Sequence, residues 1–152
     1  GKPMDNWMEL SFPSLSVNES FARSAVAAFA ASLNPTLDEL SDLRTAVSEA
    51  VTNAILHGYD NRPEGRVFLR CEKQDRTITV TVRDTGCGIE DIELARRPFY
   101  TSKPELERSG MGFSVMEAFT DRVSVLSHPR EGTTITMEKT MGQPQEPEVG
   151  SL

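Results

Sequence analysis

The sequence has little cysteine, no long apolar run and a deficit of basic charge. Its two cysteines, Cys71 and Cys87, are too few for a disulfide framework or a zinc site. No stretch approaches the roughly 18 consecutive apolar residues of a membrane span, and no signal peptide opens the chain, which points to a cytoplasmic protein with no membrane contact. Sixteen Lys and Arg against 23 Asp and Glu give a net charge of −7 and a pI near 4.9. Such a balance speaks against a direct nucleic-acid surface. At 152 residues the chain suits one domain with its own core.

Apolar periodicity lays out the elements. Trp7 to Phe12 alternates and reads as a strand, with Met8, Leu10 and Phe12 on one face. Ser16-x-x-Glu19 and Thr36-x-x-Glu39 have the spacing of capping boxes for two helices, the first reaching about Leu33 and the second ending near His57-Gly58. Asn34-Pro35 separates them, and Gly58 suits a left-handed terminating position. Strands follow at Arg66–Glu72 and Thr77–Asp84, then a short helix over Gly112–Phe119, then strands at Arg122–Ser127 and Thr133–Lys139. Cys71 shares a strand face with Val67 and Leu69 and reads as a small core residue. The arrangement is α+β: a two-layer sandwich in which helices cover one face of a mostly antiparallel, mixed sheet. Gly1-Lys2-Pro3 reads as a remnant ahead of a natural start at Met4, the domain as residues 4–140, and residues 141–152 as a loose tail too poor in apolar groups to fold.

Three motifs carry chemistry. The second helix holds an apolar stripe through Leu40, Leu43, Val47, Ala50, Val51, Ala54 and Ile55, with Glu49, Asn53 and His57 along its border. A carboxylate and an amide at the edge of a core cost several kcal/mol unless paired, and a metal with a nucleotide would pair them. A core helix with two polar edge groups is the alternative. The strand Thr77–Asp84 sends Ile78, Val80, Val82 and then Asp84 to one face, just before the turn Thr85-Gly86-Cys87-Gly88. A carboxylate there can accept from an exocyclic amine such as that of adenine, and Gly86 and Gly88 let the backbone approach a flat ligand. An ordinary Asp-Thr-Gly turn is the alternative. Gly110 and Gly112 open the third helix and leave backbone N–H groups for an anion. Before them runs a connection of roughly twenty residues, Ile89 to Ser109, long enough to be functional. It gathers Arg96, Arg97, Lys103 and Arg108 in an otherwise acidic protein.

In this order the three motifs resemble the GHKL ATPase superfamily, which includes gyrase-type topoisomerases, ninety-kilodalton heat-shock chaperones, MutL-type repair proteins and histidine kinases. The resemblance implies the GHKL (Bergerat) ATP-binding fold, ATP or ADP as ligand, Glu49 as base, Asn53 as ligand of Mg2+, Asp84 on adenine, and phosphates at the Gly110–Gly112 helix start. It makes the Ile89–Ser109 connection an ATP lid and Thr133 a support for Asp84. Arg108 is then the candidate for stabilising the transferred phosphoryl group, with Thr101, Ser102 and Lys103 as further lid contacts. Ile89 and Met111 would offer apolar surface near the base, and His57 would stand at the pocket edge rather than act in catalysis.

Within the superfamily, Val47-Ser48-Glu49-Ala50-Val51-Thr52-Asn53-Ala54, Asn18-Glu19-Ser20-Phe21-Ala22-Arg23 and Thr101–Gly112 are similar to the sporulation anti-sigma factors. Members of that family inhibit the forespore sigma factor, sigma factor F, and as serine kinases phosphorylate their anti-anti-sigma factor. The likeness implies both partners and a homodimer. Helix one fits a docking role: Ala22, Ala25, Val26, Phe29 and Leu33 form its core stripe, while Arg23 lies off it with Ala27 and Ala31. Arg23 is accordingly the candidate partner-binding residue, with a solvated surface Arg as the alternative. Two other functions compete. The ATP-binding half of a histidine kinase would need a phosphoacceptor on a dimerisation helix, and neither His57 nor His128 is so placed. A sequestering module that uses nucleotide only for shape would have no use for a base at Glu49.

Overall fold

A computed structural model describes residues 6–97 and 112–142. Strands β1 (Asn6–Pro13), β2 (Arg66–Gln74), β3 (Thr77–Asp84), β4 (Arg122–His128) and β5 (Gly132–Thr140) form one sheet in the order β1-β2-β3-β5-β4. Every neighbouring pair is antiparallel, so the sheet expected to be mixed has no parallel pair among the described residues. The helices are α1 (Val17–Ala30), α2 (Leu37–Asn53), α3 (Ile92–Ala95) and α4 (Gly112–Phe119).

Period-two patterning decides which face of the sheet is covered. Ile78, Val80, Val82 and Asp84 of β3 are buried, and so are Thr133, Ile135, Met137 and Lys139 of β5. Against them pack Leu43, Ala46, Val47, Ala50 and Val51 of α2, Ala22, Val26 and Ala30 of α1, and Phe113 and Met116 of α4. Each buried Leu or Val side chain is worth about 1.5–3 kcal/mol, so this single core holds the two layers together. Cys71 lies fully inside it, where burial pushes the thiol up to about 12. The opposite sheet face carries Trp7, Glu9, Phe68, Arg70 and Arg83, with Arg70 over the Trp7 ring at 4.7 Å and Arg83 over Phe68 at 4.1 Å.

Two lysines close helix ends from the sheet. Lys73 of β2 donates to the Phe29 carbonyl in the last turn of α1 at 3.2 Å, and Lys139 of β5 donates to the Phe119 carbonyl of α4 at 2.9 Å. Both bring a cation to the carbonyl end of a helix.

Several local expectations change. The Thr36–Glu39 capping box forms, with Glu39 N donating to Thr36 Oγ1 at 3.1 Å and Thr36 N to Glu39 Oε1 at 2.8 Å. The Ser16–Glu19 box does not: Ser16 makes no side-chain cap, because Glu19 instead takes Arg23 one turn on. Regular α1 stops at Ala30, and a 3-10 turn carries the chain to Leu33. Ala27, placed off the core stripe, is buried, because the close α1–α2 contact takes in small residues beyond the periodic stripe. Met141, placed in the tail, is buried, with its amide donating to the Arg76 carbonyl at 2.7 Å. The packed structure therefore reaches Gly142, whose amide donates to Glu39 Oε1 at 3.1 Å.

Candidate functional site

Asp84 closes the buried row of β3 and is only 3 % exposed. Burial raises its carboxyl to about 6, while the backbone amides of Gly86 and Thr133 and the charge of Arg83 pull the other way. The Gly86 amide donates to Asp84 Oδ1 at 2.9 Å. A buried carboxylate that still has acceptor capacity calls for a donor from outside the protein, and an exocyclic amine supplies one.

Gly58 lies against this carboxyl group. A Cβ on Gly58 would stand 2.7 Å from Asp84 Cγ and Oδ1, so no larger residue fits without displacing the acid. The chain reaches Gly58 by a π turn, Ala54–Gly58, in which the Tyr59 amide bonds to the Ala54 carbonyl at 3.0 Å. The left-handed residues after the helix are Asp60 and Asn61, so the expected left-handed cap at Gly58 is corrected: this glycine serves close approach. Gly86 and Gly88, expected to admit a flat ligand, are also points of close approach within the protein. A Cβ on Gly86 would meet the Gly58 carbonyl oxygen at 1.8 Å, and one on Gly88 the His128 carbonyl oxygen at 2.1 Å. Both let the loop after β3 pack against protein backbone.

Tyr59 pins this junction. Its hydroxyl donates to the Arg66 carbonyl at 2.5 Å and accepts from the Thr85 amide at 2.8 Å. Glu49 and Asn53 occupy the last regular turns of α2, and His57 the π turn; all three side chains are half-buried, at the border of the stripe as their spacing requires. The His57 carbonyl accepts from Cys87 Sγ at 2.8 Å.

On the other side of Asp84, Thr133 is its register partner across β3 and β5 and is also buried. Thr133 Oγ1 lies 2.7 Å from Ser127 Oγ, and Ser127 Oγ also accepts from the Ile89 amide at 2.8 Å. Ile89 is half-buried and packs on the core. Neither Ser127 nor Tyr59 stands out in the sequence. A signal for Ser127 was present: it ends the inward row Val123, Val125, Ser127 of β4, just as Asp84 ends that of β3.

Gly112 begins α4, which carries Phe113 and Met116 into the core. Thr101, Ser102, Lys103, Arg108, Gly110 and Met111 lie outside the described residues. Arg96, counted among the lid cations, is committed elsewhere: its Nε donates to Glu117 Oε1 of α4 at 2.7 Å, and it also reaches the Val123 carbonyl. Arg23 is not a freely solvated arginine either. Its Nη1 pairs with Glu19 at 3.2 Å, and its Nε is buried without a hydrogen-bond partner among the described residues. Elsewhere on α1, Val17 and Phe21 stand 73 % and 64 % exposed on one face, turned well away from the Glu19–Arg23 pair. Among the described residues no cluster of three His, Cys, Asp or Glu could hold a metal ion.

Known proteins place this architecture. A family profile described as "Histidine kinase-like ATPase domain" matches residues 12–139. A curated protein of Oceanobacillus iheyensis named "Anti-sigma F factor" is 55 % identical over 140 residues, 92 % of this chain and 96 % of that protein. Its namesake from Bacillus subtilis is 54 % identical over 92 % and 96 % of the two chains, and that from Anoxybacillus flavithermus 57 % over 90 % and 93 %. Among solved structures, the RsbU and RsbW domains of Rv1364c from Mycobacterium tuberculosis share the fold, with a TM-score of 0.65 at 18 % identity. That match covers 91 % of this chain but only 33 % of the solved one. With a histidine kinase-like ATPase domain over most of its length and relatives at this identity, the chain belongs to the family of anti-sigma F factors.

Proposed function

We propose that this chain binds ATP with Mg2+, transfers the terminal phosphoryl group to a serine hydroxyl of an anti-anti-sigma factor, and in its nucleotide-bound form binds and inhibits sigma factor F. One observation carries the nucleotide site: a buried carboxylate, Asp84, held between backbone amides and set against the end of the helix that bears Glu49 and Asn53. The donor set fits the ligand. Asp84 accepts from the adenine amine, Thr133 adds a hydroxyl beside it, and Ile89 offers apolar surface to the ring. Asn53 presents a neutral oxygen suited to a magnesium ion that keeps phosphates and water as its other ligands.

The residues divide the chemistry. Glu49, one turn before Asn53, orients the serine hydroxyl and takes its proton as the oxygen attacks. Magnesium, when bound, offsets the phosphate charge. Arg108 is the proposed cation for charge developing on the phosphoryl group, with Thr101, Ser102, Lys103 and the Gly110, Met111 and Gly112 backbone as further contacts. His57 borders the pocket. Arg23 on α1 is the proposed partner-binding residue. A cytoplasmic homodimer completes the reading. It is supported by the family likeness and by a sheet face on which, among the described residues, Trp7 and Leu126 stand exposed.

The test is transfer from labelled ATP to a purified anti-anti-sigma factor, with calorimetric ATP titration of Asp84→Asn and Asn53→Ala. Acid-stable label on a partner serine is expected. Asp84→Asn should lose a few kcal/mol of ATP affinity and Asn53→Ala the magnesium-dependent part. Undiminished affinity in both variants refutes the site; acid-labile label, or none, refutes the serine kinase.

A further inference from the structure

Ser127 is buried on β4 and belongs to no part of the site so far assigned. Its hydroxyl meets three groups: the Ile89 amide at 2.8 Å, the Gly132 carbonyl at 3.0 Å and Thr133 Oγ1 at 2.7 Å. A hydroxyl has one proton and two lone pairs. The Ile89 N–H takes one lone pair. The Gly132 carbonyl can only accept, so the Ser127 proton goes to it. What remains for Thr133 is the second lone pair, so Thr133 must be the donor of the 2.7 Å bond. All capacity of Ser127 is then used, inside a region where an unmade hydrogen bond is costly.

This has a consequence at the base of the pocket. With its only proton committed to Ser127, Thr133 offers lone pairs alone to anything bound beside Asp84. Asp84, when ionised, also only accepts. Two adjacent acceptors favour an amine donor and oppose a carbonyl oxygen. Adenine carries an amine at its six position, whereas hypoxanthine and guanine carry a carbonyl there. We infer that Ser127 is a positioning residue that fixes the hydroxyl proton of Thr133 and thereby sets the preference of the pocket for 6-amino over 6-oxo purines. The same bond from the Ile89 amide ties the loop after β3 to this device, so the wall and floor of the pocket share one anchor.

The inference rests on the proposed nucleotide site, and the test separates the two. Binding of ATP and of ITP, which differ in the amine and the adjoining ring proton, is measured for wild type, Ser127→Ala, Ser127→Thr and Thr133→Val. In Ser127→Ala the Thr133 hydroxyl turns and donates, so the ATP-over-ITP preference should narrow by about fivefold, the worth of one neutral hydrogen bond. Ser127→Thr keeps the hydroxyl and should keep the preference. In a Thr133→Val background, adding Ser127→Ala should leave the ratio unchanged, which a general loosening of the fold would not do. Ser127→Cys, close in size and a weak hydrogen-bonding group, replaces Ser127→Ala if that protein does not fold. A wild-type ratio in Ser127→Ala or Ser127→Cys overturns the inference and leaves the ATP site standing. So does equal narrowing with and without Thr133. A wild-type protein that binds neither nucleotide overturns both.

Discussion

The carboxyl group of Asp84 occupies the space where a side chain on Gly58 would begin, 2.7 Å from the position of its Cβ. Strand β3 and the end of helix α2 therefore meet through an acid and a missing side chain. Neither residue explains itself alone. Asp84 tolerates burial because backbone amides face it, and its carboxyl group has room because the helix end carries no side chain there.

Gly58→Ala should accordingly harm the site more than the methyl group suggests. The added carbon must push either the acid or the helix end, at about 1–3 kcal/mol for overpacking of this kind. ATP affinity should fall with stability. Thermal melts with and without ATP check this; a Gly58→Ala protein with wild-type melting and wild-type ATP affinity contradicts the geometry.

The pH dependence follows from Asp84. Its carboxyl stands at about 6 in the folded chain against an ordinary 3.8, with burial as the cause. A raised carboxyl favours the fold fully below about pH 4, and that contribution is lost as pH rises through 6. The whole amount is about 3 kcal/mol, and Asp84→Asn should remove this slope. ATP works in the opposite sense, because an amine donor favours the ionised acid. Its affinity should weaken as pH falls below 6, and binding near pH 6 should release a proton. Titrations in buffers of different ionisation enthalpy measure that release; none from wild type would separate Asp84 from the ligand.

Glu49→Gln tests chemistry apart from binding. The fold and ATP affinity should remain, while phosphoryl transfer falls by on the order of a hundredfold or more. Inhibition of sigma factor F should persist, since it requires only the nucleotide-bound surface. Single-turnover transfer at the wild-type rate would exclude Glu49 as base.

Arg23→Glu probes the side of α1 that carries the Glu19–Arg23 pair. Because Arg23 pairs with Glu19 one turn away, the exchange creates a like-charge pair and should cost about 0.5 kcal/mol of stability. ATP binding should not change. Binding of sigma factor F or of the anti-anti-sigma factor should weaken by several kcal/mol, as an attractive contact becomes repulsive. Each partner is measured with ATP and with ADP; full affinity for both would move the docking surface elsewhere.

Elements with strong periodicity were legible in the sequence. The alternation over Thr77–Asp84 marks β3 over its observed length, and its inward row points to the buried acid. The Thr36–Glu39 box marked the start of α2. What escaped depends on contacts between distant segments. Ala27 is buried by its neighbour helix, Met141 by the β2–β3 turn, and the purpose of Gly58 lies in a strand that follows it by some twenty-five residues. Ser127 escaped because it carries no charge and belongs to no motif, while its importance comes from its partners on Ile89, Gly132 and Thr133.

The π turn after Asn53 divides the α2 region mechanically. Up to Asn53 the backbone is a regular helix, stiff along its axis, and it carries Glu49 and Asn53 as one body. Beyond it, five residues hold one more than an α ladder would use, and that surplus turns Gly58 onto Asp84. Removing one residue from Ala54–Gly58 would let an unbroken α-helix form, yet it would swing the helix end by about 100°. A chain repaired in that way could gain helical regularity and lose the proposed adenine pocket, so the irregular turn is a spacer whose length is part of the candidate site.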